Sequence, residues 1–151
     1  MNDRGMRMYH YVECGLPNVW LRNGFVVKDT AYGEAVAIKD VKGLHDVIGK
    51  MVAEKPTPLS GAEFRFLRKE LGLSQDRLAA IVGMTGQAVA LWEKNDKVPL
   101  VHDRYLRGLY LEAKTGEADL MASIDKINEL DHELYKLNLE FEGHWHSKEC
   151  A

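Results

Sequence analysis

Residues Leu73–Pro99 read LSQDRLAAIVGMTGQAVALWEKNDKVP, and this stretch decides the fold. Ser74 is a helix N-cap, its hydroxyl accepting from a backbone N–H that the helix itself leaves unpaired. Leu78, Ala79, Ile81 and Val82 then give that helix an apolar face. Gly83 suits the left-handed conformation that ends a helix, and Thr85 is a second N-cap a few residues later. Val89 and Trp92 lie three apart and so share an inward face. Gly86, Gln87, Ala90 and Leu91 are left facing outward. The connection is too short for an antiparallel pair, so the two helices cross steeply, with the small Ala79 at the crossing.

The segment resembles the helix-turn-helix of the lambda-repressor-like family, also called Xre type. The matching residues are Leu73, Ser74, Gln75, Leu78, Ala79, Gly83, Thr85, Val89, Trp92, Glu93 and Pro99. Phe64–Leu71 fits that family's first helix, and the likeness covers roughly Leu59–Leu111. It implies a five-helix domain that lays its second motif helix in the major groove of double-stranded DNA. Carried over by position, Gly86, Gln87, Ala90 and Leu91 face the bases. Gln87 is the conventional reader among them, able to pair with adenine N6 and N7, while Ala90 and Leu91 can touch thymine methyl groups. Gly86 offers backbone alone. Gln75, Thr85, Lys94 and Lys97 are the implied phosphate contacts. Many family members carry polar or basic side chains where this chain has Gly, Ala and Leu, so DNA shape is expected to share in recognition. Asn95 stands where the family often has Gly and is expected to take the left-handed cap. Trp92 reads as core and Glu93 as the partner that orients a nearby arginine; Arg65, Arg68 and Arg77 are weaker candidates for phosphate contact and read first as a solvated helix face.

Around this motif the chain divides into three zones. Residues 1–58 read as a small β-rich unit with a trailing helix and a Pro linker. Asn23-Gly24 is a hairpin turn signal between Val19–Leu21 and Phe25–Val27, and Ala35–Ile38 suggests a further strand. Gly43–Ala53 has helical spacing, with Leu44, Val47, Ile48 and Met51 on one stripe, and Pro56 and Pro58 mark the linker. This unit is small for an independent core and is expected to dock on the second zone or on a partner. Residues 59–116 hold the helix-turn-helix domain, opened by the capping box Ser60-Gly61-Ala62-Glu63 and closed by a helix over His102–Leu111. Residues 117–151 read as a long amphipathic helix from Asp119 to Phe141 with a flexible tail. Leu120, Ile127, Leu134 and Phe141 recur every seven residues, and Leu130 and Leu137 fill the seam. That stripe either pairs with a second copy or packs on its own domain. The fold class is thus α+β, mainly α.

Composition bounds the function. The 151 residues are 46% hydrophobic and 28% charged, with a formal net charge of −3. Residues 1–59 carry 8 basic and 7 acidic side chains, net +1; residues 60–111 carry 8 and 6, net +2; residues 112–151 carry 4 and 10, net −6. The acid is therefore remote in sequence from the DNA face, where local field matters. The modest +2 suggests that useful affinity needs a homodimer. No apolar run approaches the ~20 residues that span a membrane, and MNDRGMRMYH has no apolar secretory core. The simplest account is a cytoplasmic protein. Cys14 and Cys150 form no C-x-x-C pair. His144, His146 and Cys150, with Glu142 nearby, lack the paired spacing of a structural zinc site, as does Cys14 with His10. No metal, cofactor or catalytic residue is expected, and nothing argues for an enzyme.

The zone order is also similar, more weakly, to MqsA-type antitoxins, which pair an N-terminal zinc unit with a helix-turn-helix. With Cys14 the sole cysteine of the first zone, that zinc site cannot be carried over. The leading expectation is a dimeric transcriptional regulator, a repressor. The alternative is an antitoxin-like interaction module whose N-terminal unit binds a toxin or a ligand and whose DNA binding is autoregulatory.

Overall fold

The computed structural model describes residues 7–116 and 137–147. It is α+β and mostly helical. The strands are β1 (Tyr9–His10), β2 (Trp20–Leu21), β3 (Phe25–Thr30), β4 (Gly33–Ile38), β5 (Leu139–Phe141) and β6 (Trp145–Ser147). The helices are α1 (Val41–Glu54), α2 (Gly61–Glu70), α3 (Gln75–Val82), α4 (Gly86–Lys94) and α5 (Leu100–Thr115).

Local chemistry fixes most helix ends. Asp40, at φ 47°, caps α1 by accepting from Gly43 N at 3.1 Å. At α2 the capping box is complete: Ser60 Oγ accepts from Glu63 N at 3.1 Å and Glu63 Oε1 accepts from Ser60 N at 2.9 Å. Ser74 and Thr85 cap α3 and α4 through Arg77 N and Ala88 N. Gly83, at φ 71°, ends α3. Asn95 ends α4 at φ −92°, outside the left-handed region. Asp96 takes the positive φ instead, at 58°, and its carboxylate accepts from Gly61 N at the start of α2. The expected left-handed Asn is therefore displaced by one residue, because the aspartate has a partner across the fold.

Strand pairing departs from the sequence reading. Asn23-Gly24 is not a hairpin turn. β2 pairs antiparallel with β1, His10 opposite Trp20, and β3 pairs with β4, Val27 opposite Val36. Gly24 joins the two hairpins, its carbonyl accepting from Lys39 N at 2.8 Å. The turn between β3 and β4 is Ala31-Tyr32. A second correction concerns α1, where Val47 and Met51 are 59% and 68% exposed while Ile48, Val52 and Ala53 are buried. The docking face is turned about the helix axis relative to the predicted stripe, since Gly49 and not a bulky residue meets Tyr110 of α5.

The third correction lies at the C-terminal end. Phe141 lies in β5 and Leu137 precedes it, both exposed, so the predicted helix does not extend to Phe141. Turn residue Gly143, at φ 73°, reverses the chain there. Leu120, Ile127, Leu130 and Leu134 lie outside the described residues.

Within residues 59–116 there are four helices where the resemblance implies five. The remaining helix, α1, packs against α2 and α5. One core runs through both regions: Tyr11, Leu16 and Leu21 join Ile48, Phe64, Leu67, Leu78, Val89, Leu106 and Leu109. The Pro-containing connection is pinned to α5. Arg107 Nη1 donates to Lys55 O at 2.6 Å, Nη2 donates to Thr57 O, and Asp103 Oδ2 accepts from Leu59 N at 2.6 Å. No described helix is long and apolar enough to cross a membrane.

Candidate nucleic-acid interface

α3 and α4 form the interface scaffold. Val89, fully buried, and Ala79, at 2% exposure, seat the two helices against each other. Trp92 is half-buried, edge-on to Phe64 at 6.0 Å and stacked on His102 at 4.6 Å. With that face held inward, Gln87 and Leu91, one helical turn apart, are exposed on the opposite side, and Ala90 is partly exposed beside them. Gly86 has a packing role. A Cβ there would lie 1.8 Å from Asp76 Oδ1 on α3, so the missing side chain lets the two helices approach.

The arginine that Glu93 orients is Arg68. Arg68 Nε donates to Glu93 Oε2 at 2.8 Å, Nη2 donates to Oε1 at 2.9 Å, and Nη1 donates to the Leu73 carbonyl at 2.8 Å. Both side chains are buried, so Arg68 does not belong to the solvated face on which the sequence reading put it. Gln75 joins the same group, Nε2 donating to Glu93 Oε1 at 3.2 Å. Its amide oxygen and the first turn of α3 remain at the helix N-terminus.

Lys94 and Lys97 are exposed just inside and just after the end of α4. Lys94 borders a cleft of about 530 Å³ that Arg65 and Lys69 of α2 also line, with Gln75 at its other side. Sequence reasoning missed Lys69, which lies 25 positions from Lys94 and has no motif to mark it. The third wall is the β1–β2 loop, Glu13-Cys14-Gly15. Tyr9 hydrogen-bonds the Glu13 carboxylate and holds its pKa below the ordinary range, so a negative charge stands at the rim. The cleft has three cations against Glu13 and the already paired Glu93. Thr85 spends its hydroxyl on the cap of α4 and is exposed there.

A helix-turn-helix family model matches residues 64–102, from α2 into the start of α5. The match bears out the lambda-repressor-like resemblance carried by Leu73–Pro99. The helix-turn-helix supports a DNA-binding transcription regulator in general terms. No curated protein and no solved structure matches the chain. The MqsA-type likeness therefore has no support beyond zone order. The helix-turn-helix match spans about a quarter of the chain, and the β1–β4 region and the β5–β6 hairpin lie outside it.

Proposed function

We propose that the protein is a sequence-specific DNA-binding repressor that acts as a homodimer and inserts residues 85–92 into the major groove. The observation that carries this reading is the two-sidedness of α4: Val89 is locked in the core while Gln87 and Leu91 stand exposed together. Gln87 would read adenine, and Leu91 and Ala90 would contact thymine methyls. Lys94, Lys97 and the N-terminal turn of α3 at Gln75 would hold phosphates, with Thr85 at the start of the inserted helix. Two copies would read half-sites about 34 Å apart on one face of the duplex. Neither the fold nor the helix-turn-helix match favours the antitoxin-like alternative.

The test is binding of the purified protein to DNA from upstream of its own gene, against scrambled DNA, over a salt series, with sedimentation to count copies. Preference for the upstream DNA, with affinity falling as salt rises, is the expected result. Equal, weak binding to both sequences would overturn the sequence-specific reading, and a single copy on the operator would overturn the dimer.

A further inference from the structure

We infer that the β5–β6 hairpin is a binding site for a divalent first-row transition-metal ion, held by Glu140, Glu142 and His146 with His144 as the fourth donor. The register sets this up. Glu140 is directly opposite His146, and Phe141 is opposite Trp145. Side chains alternate between the two faces of a strand, so the carboxylate and imidazole donors share one face and the two aromatic rings, 5.4 Å apart, share the other. Around Gly143 the chain turns tightly, Glu142 N donating to His144 O at 2.9 Å. One donor atom each from Glu140, Glu142 and His146 then lies within 4.8 Å of the other two. The His144 ring is 5.6 Å from that of His146.

This arrangement exceeds a simple ion pair. His146 Nε2 is 4.0 Å from Glu140 Oε2, long for a hydrogen bond. His146 Nδ1 is shielded from solvent and has no hydrogen-bond partner among the described residues, which a buried ring nitrogen ordinarily finds. A cation placed among these three donors would offset the repulsion between the two carboxylates. Zinc bonds of about 2.0–2.2 Å put two donors of one tetrahedral ion roughly 3.3–3.6 Å apart, which modest rotations of these surface side chains supply. Imidazole with carboxylate suits zinc and its first-row neighbours and disfavours calcium and magnesium, which prefer all-oxygen sets. An ion here would also brace the strands. An isolated two-stranded hairpin is marginal in water, and Leu139, Phe141 and Trp145 are 66%, 60% and 70% exposed, giving it little apolar support.

The test is calorimetric titration of tag-free, metal-stripped full-length protein with zinc chloride at pH 7.5. The expected result is one ion per chain, with affinity reduced at least tenfold in both Glu140→Gln and His146→Ala. His102→Ala, in the helix-turn-helix domain, should leave binding unchanged. Zinc should shift the ring-proton resonances that His144→Ala and His146→Ala each remove, a readout that does not depend on stability. Absence of stoichiometric binding would overturn the site. So would binding unaffected by both hairpin substitutions, which would place the ion elsewhere.

Discussion

The Arg68 guanidinium grips the Glu93 carboxylate through two parallel hydrogen bonds, of 2.8 and 2.9 Å, and so ties α2 to the last turn of α4. The pair is almost fully desolvated, at 7% and 5% side-chain exposure. Removing one partner strands a buried charge, which costs about 3–5 kcal/mol, whereas replacing both with apolar groups is often close to neutral. Glu93→Ala should lower unfolding free energy by that amount in urea titrations, and Arg68→Met with Glu93→Leu should recover most of it. A double variant no more stable than Glu93→Ala would mean that the fork itself, and not the stranded charge, sets the cost.

Asp103, 1% exposed, accepts from Leu59 N and pairs with Arg107 Nε at 2.8 Å. These bonds anchor the segment between α1 and α2. Asp103→Ala leaves the buried Leu59 amide unpaired and takes the carboxylate away from Arg107, which keeps its bonds to the Lys55 and Thr57 carbonyls, so a loss of about 3 kcal/mol is expected. Limited proteolysis should then cut within residues 55–60 before it cuts the helices. Unaltered cleavage order would show that the apolar contacts of α1 hold this segment without the aspartate.

Gln87 is the polar side chain best placed on the exposed face of α4. Gln87→Ala should flatten preference at one A·T position, costing about 1–3 kcal/mol in discrimination, with helix content unchanged by circular dichroism. Binding to every operator variant with unaltered relative affinity would remove Gln87 from base reading.

A Cβ on Gly49 would lie 1.9 Å from the Tyr110 hydroxyl oxygen. That hydroxyl is buried without a hydrogen-bond partner among the described residues. Gly49→Ala should therefore destabilise by about 1–3 kcal/mol through overpacking, while Tyr110→Phe should be neutral or stabilising by about 1 kcal/mol, since no bond is lost. Destabilisation by Tyr110→Phe would reveal a partner for the hydroxyl.

Burial pushes the phenols of Tyr11 and Tyr110 above their ordinary 10.0, and the hydrogen bond to Asp46 raises Lys114 above 10.5. All three groups hold their protons more tightly folded than unfolded. Their contribution is complete below about pH 10 and is lost as pH rises through the folded values, where the unfolded chain binds fewer protons. Urea midpoints should fall from pH 10 to 11.5, less steeply in Tyr110→Phe. A midpoint independent of pH over that range would contradict the shifts.

The helix-turn-helix was legible from local chemistry alone. Ser60, Ser74, Gly83 and Thr85 set helix ends through bonds to residues at most four positions away, and Val89 and Leu106 follow from helical spacing. Such signals are local, so they survive in one dimension. Tertiary structure decided what depends on distant partners. Asn23-Gly24 has the chemistry of a hairpin turn, yet Trp20 finds His10 and Phe25 finds Ile38, so the glycine serves a junction. The buried face of α1 was set by the fit of Gly49 to Tyr110, which periodicity cannot see. Lys69 met Lys94, and Arg68 left the solvated face for Glu93, only when α2 packed on α4. Glu140 and His146 became neighbours through a reversal at Gly143, with Leu139–Phe141 in a strand where heptad spacing had pointed to the end of a helix. In each case a short-range preference worth about a kilocalorie yielded to long-range packing and pairing worth more.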